Sequence, residues 1–126
     1  MENLYIPKGK YTLEVNFNAQ SGLLEMSGSS YPENARKFYQ PIFDWIKEYF
    51  YSYEKAVTLN LKLYYLNSSA IKCTLDILAI MEEYYKKGRE IKVNWLHEED
   101  DDDIIEIGEG ISRNLTLPIK FIPYEI

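Results

Sequence analysis

The stretch Val57-Thr58-Leu59-Asn60-Leu61-Lys62-Leu63-Tyr64-Tyr65-Leu66-Asn67-Ser68-Ser69-Ala70-Ile71-Lys72 passes from one hydrophobic period to another within a single short span. Val57, Leu59, Leu61, Leu63 and Tyr65 alternate with Thr58, Asn60, Lys62 and Tyr64, the period of two expected of a strand with one buried face. From Ile71 onward the apolar residues fall at helical spacing, through Leu75 and Leu78 and the adjacent stripe Ile77, Ile80, Met81 and Tyr84. A serine cap in Asn67-Ser68-Ser69-Ala70 opens this helix, and the basic turn and glycine of Lys86-Lys87-Gly88 close it. A strand that runs directly into a helix predicts an α/β fold.

Working outward, Tyr11, Leu13, Val15 and Phe17 alternate with Thr12, Glu14 and Asn16, and after the turn residues Asn18 to Gly22 the alternation resumes from Leu23 to Ser27. These two strands form an opening hairpin. A helix starts near Pro32, where a missing N–H costs nothing and Glu33 suits the positive end. It runs to about Tyr53 along Ile42, Trp45, Ile46, Tyr49 and Phe50, with Pro41 kinking it or dividing it in two. Ile91, Val93 and Trp95 mark a short strand, Ile104 to Gly108 a short helix, and Leu117 to Ile122 a last strand. The order β-β-α-β-α-β-α-β predicts a single α/β domain over residues 1–126, with a mixed, mostly parallel sheet and an N-terminal β-hairpin. Because the strands alternate instead of being apolar throughout, the helices are expected mainly on one face.

A chain of 126 residues can bury a core without metals or crosslinks. Its net charge of -6 gives no attraction toward phosphate backbones or anionic lipids, so nucleic acid and membrane partners are not expected. Cys73 is the only cysteine, which excludes an internal disulfide and fits a reducing compartment. No basic and apolar leader opens the chain and no long apolar run follows, so a cytoplasmic protein is expected. Twelve tyrosines, each with an apolar body and a polar tip, point to a contact surface.

Ser68 and Ser69 lie where a strand ends and a helix begins, the end of an open α/β sheet that carries working residues in such folds. Capping is the plain account of a serine there, whereas a phosphate on Ser68 would meet the helix dipole and its free amides. The run Glu98-Glu99-Asp100-Asp101-Asp102-Asp103 lacks the alternation and glycine of a calcium loop and reads as a solvated loop with helix-capping aspartates. His97, the one histidine, is expected in the loop after the Trp95 strand with no nucleophile spaced to it, and Cys73 reads as a small apolar filler. Phosphate-cradling loops and a nucleophile elbow are missing, so no cofactor, no metal and no enzymatic activity are expected.

The segments Gly28-Ser29-Ser30-Tyr31-Pro32-Glu33-Asn34-Ala35 and Tyr65-Leu66-Asn67-Ser68-Ser69-Ala70-Ile71-Lys72, followed by Trp95, the acidic run and Gly108-Glu109, resemble the SiaC family of bacterial regulatory phosphoproteins. The resemblance covers nearly the whole chain, and Ser29 and Gly110 depart from the family pattern. It implies a fold like that of the STAS domains, the anti-sigma-factor antagonists. It also implies a phosphorylation-controlled switch: a partner-switching serine/threonine kinase modifies Ser68, a PP2C-type phosphatase restores it, and the unphosphorylated form binds and activates an effector such as a diguanylate cyclase. Asn67, Ser69, Lys72 and the segment Ser30, Tyr31, Pro32, Glu33, Asn34 are then the expected partner-binding residues. Two other accounts are a constitutive interaction subunit in which Ser68 is only a cap, and an enzyme that uses the acidic run and His97 with a divalent cation.

Overall fold

A computed structural model describes residues 1–125. Its elements are β1 (Leu4–Ile6), β2 (Glu14–Phe17), β3 (Leu23–Ser30), α1 (Ala35–Ser52), β4 (Val57–Leu66), α2 (Ser68–Lys86), β5 (Ile91–Glu98), α3 (Asp102–Ser112) and β6 (Ile119–Tyr124). They build one sheet in the order β1-β2-β3-β4-β5-β6, antiparallel across β1, β2 and β3 and parallel from β3 to β6. The mostly parallel sheet with its opening hairpin is as expected from the alternation, and all three crossovers step to the next strand in the same direction. Right-handed crossovers of that kind put their helices on one face.

The strands show the same asymmetry residue by residue. In β4, Leu59, Leu61 and Leu63 are buried, whereas Asn60 and Lys62 between them are half exposed on the open face. That face carries a polar ladder in which Asn94 donates to Asn60 (2.8 Å) and Asn60 donates to Glu25 (3.3 Å). Under the helices, one core runs from Val15 and Phe17 through Leu24, Met26 and the β4 leucines to Val93 and Trp95. Each fully buried aliphatic or aromatic side chain there contributes about 1.5–3 kcal/mol.

Several boundaries differ from expectation. A sixth strand, β1, pairs Leu4, Tyr5 and Ile6 with Phe17, Asn16 and Val15. Three residues are too few for a period of two to declare itself, and only the pairing edge of β2 makes them a strand. Tyr11 is not in a strand; its carbonyl accepts the Tyr31 N–H (2.9 Å) and its ring meets Tyr31 edge-on. The first helix starts at Ala35, not near Pro32, because Asn34 caps it by accepting the Lys37 N–H (3.1 Å). Pro41 neither breaks nor divides α1: it lies on the exposed side of the helix with Lys37, whose carbonyl a proline cannot serve, and the buried stripe on the other side runs on to Phe50. β5 runs on to Glu98 because His97 and Glu98 pair with Pro123 and Tyr124 of β6, which puts His97 inside the strand instead of in a following loop.

Two contacts hold α3 and β6 in place. Trp95 donates its indole N–H to the Ile104 carbonyl (3.1 Å), and Gly108 lies so close to the sheet that an added Cβ would stand 2.7 Å from the Trp95 ring and 2.8 Å from Phe121. Glu82 of α2, nearly buried, accepts both backbone N–H groups of Thr116 and Leu117 as well as the Thr116 hydroxyl. The Thr116 N–H holds this carboxyl below its ordinary range against the opposing effect of burial, assisted by Leu117 and by Lys86.

Gly108→Ala is expected to destabilise the fold by about 1–3 kcal/mol in urea unfolding, since the helix has to move off the sheet to admit a methyl group. The depressed Glu82 pKa means that its contribution is complete above the unfolded carboxylate value of about 4.3 and disappears as pH falls through the folded value. Glu82→Gln should therefore lower the urea midpoint at neutral pH and flatten its decline in acid. A midpoint and pH profile equal to those of the wild type would refute this role.

Candidate functional site

The carboxyl ends of β3 and β4 and the first turn of α2 meet at one end of the sheet. Ser30 ends β3 opposite Leu66, and the backbone N–H of Asn67 donates to the Ser30 carbonyl (3.0 Å). The two segments separated by more than thirty positions in the chain are thus joined by a hydrogen bond. Beneath this junction the Ser30 and Tyr39 hydroxyls pair at 2.8 Å, both residues fully buried. Burial pushes the Tyr39 phenol up to about 12, with the Ser30 hydrogen bond opposing, so it stays neutral and serves as a fixed strut between β3 and α1.

The cap of α2 is Asn67, not a serine. Its side-chain oxygen accepts the Ala70 N–H (2.9 Å) and the Ser69 hydroxyl (3.0 Å), while its carbonyl accepts the Ile71 N–H (2.9 Å). Asparagine is at least as good a cap as serine, and it stands one position earlier, so it takes the role first. Ser68 becomes the first helical residue, exposed, and among the described residues its hydroxyl takes no hydrogen bond. The expected serine cap is corrected in the direction that leaves Ser68 without a structural task.

The expected partner-binding residues divide by exposure. Tyr31, Glu33, Asn34, Ser69 and Lys72 are exposed, and Asn67 is half exposed. Ser30 and Pro32 are buried, so neither offers its side chain to a partner; they position the residues around them. Lys72, one turn after Ser68, pairs with Asp76 at 3.6 Å, a contact between well-exposed groups that stabilises little. Tyr65 is exposed beside them, although alternation alone assigned it to the buried face of β4. The β3–β4 register shifts after Gly28, pairing Gly28 with Leu63 and Ser29 with Tyr65, so Tyr64 and Tyr65 are both exposed. The rings of Tyr11, Tyr31 and Tyr65 form an edge-to-face row beside the α2 start, with centroids 5.0 and 5.9 Å apart.

The other candidates have structural places. Asp101 caps α3 by accepting the Ile104 N–H (3.1 Å), and Asp102 and Asp103 occupy its first turn, where the helix dipole favours them. His97 is buried on the helix-covered face with Nδ1 2.8 Å from the Glu98 carbonyl oxygen. Among the described residues no group of three or more histidine, cysteine or acidic side chains is placed to hold a metal ion. Burial, followed by the Asp76 carboxylate, pushes the half-buried Cys73 thiol up, against Lys72 and Arg36, which keeps it protonated. Among the described residues, no helix is long and apolar enough to cross a membrane.

A family model described as SiaC family regulatory phosphoprotein matches residues 6–124. An uncharacterized protein of Pseudomonas aeruginosa (strain UCBPP-PA14) is 31% identical over 118 residues, 94% of either chain. The crystal structure of apo-SiaC from Pseudomonas aeruginosa matches with a TM-score of 0.90 at 31% identity, over 97% of this chain and 99% of that one. A chain in the crystal structure of the diguanylate cyclase SiaD in complex with its activator SiaC, from the same organism, matches with a TM-score of 0.92 at 30% identity, over 96% and 99%. The similarity marked by the Tyr31 to Asn34 and Asn67 to Lys72 segments extends over nearly the whole fold.

The division of labour between neighbours at the α2 start is open to measurement. Asn67→Ala should cost about 1 kcal/mol in urea unfolding, the usual loss for a removed cap. Ser68→Ala should stay within about 0.5 kcal/mol of the wild type. The reverse ranking would restore the serine as the cap.

Proposed function

The chain belongs to the SiaC family of regulatory phosphoproteins, and on that premise we propose that it is a phosphorylation-controlled protein-binding switch in a bacterial partner-switching pathway, with Ser68 as the modified residue. The observation that carries this reading is the exposed Ser68 hydroxyl, placed just beyond the Asn67 cap and, among the described residues, engaged in no hydrogen bond. A modifying enzyme can take it without dismantling α2. The unphosphorylated surface around Ser68, with Tyr31, Glu33, Asn34, Asn67, Ser69 and Lys72, docks on an effector, and Ser30 and Pro32 support it from below. The solved complex of a relative with a diguanylate cyclase supports an effector of that kind, activated on binding.

Phosphorylation adds about -1.5 to -2 charges to this surface. The first amides of α2 favour a phosphate there, so the modified chain remains folded. Docking then requires a dianion to be desolvated against the partner, and the complex is released. A serine/threonine kinase and a PP2C-type phosphatase set the phosphorylation level in the cytoplasm. The chain itself is not an enzyme; its family, that of regulatory phosphoproteins, supports this.

Peptide mapping of the chain from its native cells should find phosphate on Ser68. Ser68→Asp, or phosphoserine installed at this position, should weaken binding to the effector, tested first with a diguanylate cyclase of the same organism, about 30- to 150-fold, the equivalent of about 2–3 kcal/mol. Thermal stability should stay near that of the wild type. Unchanged binding would leave a constitutive interaction subunit as the account of this surface.

A further inference from the structure

Ser68 and Ser69 sit between two tethers that meet at one buried hydroxyl. Tyr39 of α1 is fully buried, and its phenol pairs with the Ser30 hydroxyl at 2.8 Å. The Ser30 carbonyl in turn accepts the Asn67 N–H (3.0 Å), which fixes the residue before Ser68. On the other flank Thr74, also buried, donates its hydroxyl to the Ala70 carbonyl (2.8 Å), which fixes the residue after Ser69. The Thr74 hydroxyl acts on the Tyr39 phenol as well, opposing the effect of burial as Ser30 does. Asn67 Oδ1, which accepts the Ala70 N–H (2.9 Å), links the two flanks directly. We propose that Tyr39 and Thr74 are positioning residues for the modification of Ser68, and that the modifying kinase takes the folded start of α2 as its substrate and not an extended segment. The proposal rests on the reading of Ser68 as the modified residue.

The neighbours of Ser68 decide between a folded and an extended substrate. Leu66 and Ala70, two positions to either side, are 3% and 0% exposed. Drawing this segment out along an enzyme's cleft would expose both side chains and break the bonds of Asn67 to Ser30 and Ala70. Left in place, the turn already presents the Ser68 hydroxyl to solvent. The reaction passes the γ-phosphoryl group of ATP to the Ser68 oxygen: the new P–O bond forms as the bond to ADP breaks, and the hydroxyl proton leaves to a base of the kinase. Such a transfer needs the attacking oxygen in line, and a displacement of about 1 Å can cost about a hundredfold in rate. The tethers supply a fixed backbone for it. Ser30, Tyr39 and Thr74 belong to β3, α1 and α2, so three packed elements set the position of Ser68, and the residues beside it in the chain do not suffice. Removing the Tyr39 hydroxyl leaves the ring in the core and the exposed side chains unaltered, but Ser30 and Thr74 lose their common neighbour and the first turn gains freedom.

The test compares phosphorylation and amide exchange in four substrates: the full chain, its Tyr39→Phe and Ile91→Val variants, and a synthetic peptide of residues 60–76. Ile91→Val trims the buried start of β5 at the opposite end of the sheet and controls for lost stability. With kinase enriched from the native cells by its activity on the full chain, the peptide should be labelled at least about a hundredfold more slowly at equal concentration. Tyr39→Phe should lower the maximal rate about tenfold with KM within about twofold, since the surface that docks is intact. Ile91→Val should behave as the wild type. In hydrogen exchange, the Asn67 and Ala70 amides of Tyr39→Phe should exchange about tenfold faster while those of Val93 and Trp95 in β5 keep their protection. Thr74→Val should follow Tyr39→Phe in both measurements. A peptide labelled as fast as the folded chain, or equal rates for Tyr39→Phe and Ile91→Val, would overturn the proposal and leave Ser68 as the modified residue. Unchanged exchange at Asn67 and Ala70 in Tyr39→Phe would overturn it too, whatever the labelling shows. Label found on the full chain at a residue other than Ser68 would reject the switch reading, and this proposal with it.

Discussion

Each of β3, β4 and β5 is followed by a helix whose chain must return to begin the next strand in parallel, and a right-handed crossover allows that return on one face only. Because every step goes to the adjacent strand in the same direction, α1, α2 and α3 share a face and the other stays open. The remaining architecture follows from this constraint. The strands must present leucine, valine and aromatic residues toward the helices and polar residues such as Asn60, Lys62 and Asn94 away from them. The carboxyl ends of the parallel strands and the starts of the following helices collect at one end of the sheet, which is where the surface of interest forms.

At that end, neighbouring residues have been given separate tasks. Asn67 caps α2, receives the Ser69 hydroxyl and ties itself to Ser30, so geometry at the helix start does not depend on Ser68. The buried pair of Ser30 and Tyr39 stiffens the layer beneath. An exposed hydroxyl on a rigid base suits the proposed switch, since charge added there would change the surface more than the fold. A switch in which the modified residue also held the helix together would link release of a partner to partial unfolding.

The α3 side of the same end is held by different means. Gly108 admits the Trp95 ring at a distance that no side chain would permit, and Glu82 ties the chain before β6 to α2 through three donors. These contacts hold α3 against β5 and β6, and the chain before β6 against α2. A carboxylate that reads as an ordinary helix residue in the chain thus acts as the anchor of a loop.

The residues alone determined the alternation of β3, β4 and β5, the apolar stripes of α1 and α2, the one-sided cover of the sheet and the segments around Ser30 and Ser68 by which the family is recognised. Periodicity is a local property, and burial of one face enforces it along the chain. Tertiary contacts settled the rest. Three-residue β1 exists only because β2 offers an edge, α1 passes through Pro41 because its buried stripe outweighs one lost hydrogen bond, and β5 extends to Glu98 because β6 continues to pair with it. Whether Asn67 or Ser68 caps α2, and whether Tyr65 faces the core or the solvent, turned on a hydrogen bond to Ala70 and a one-residue register shift after Gly28. Both depend on where distant segments come to lie against each other, and no period along the chain encodes that.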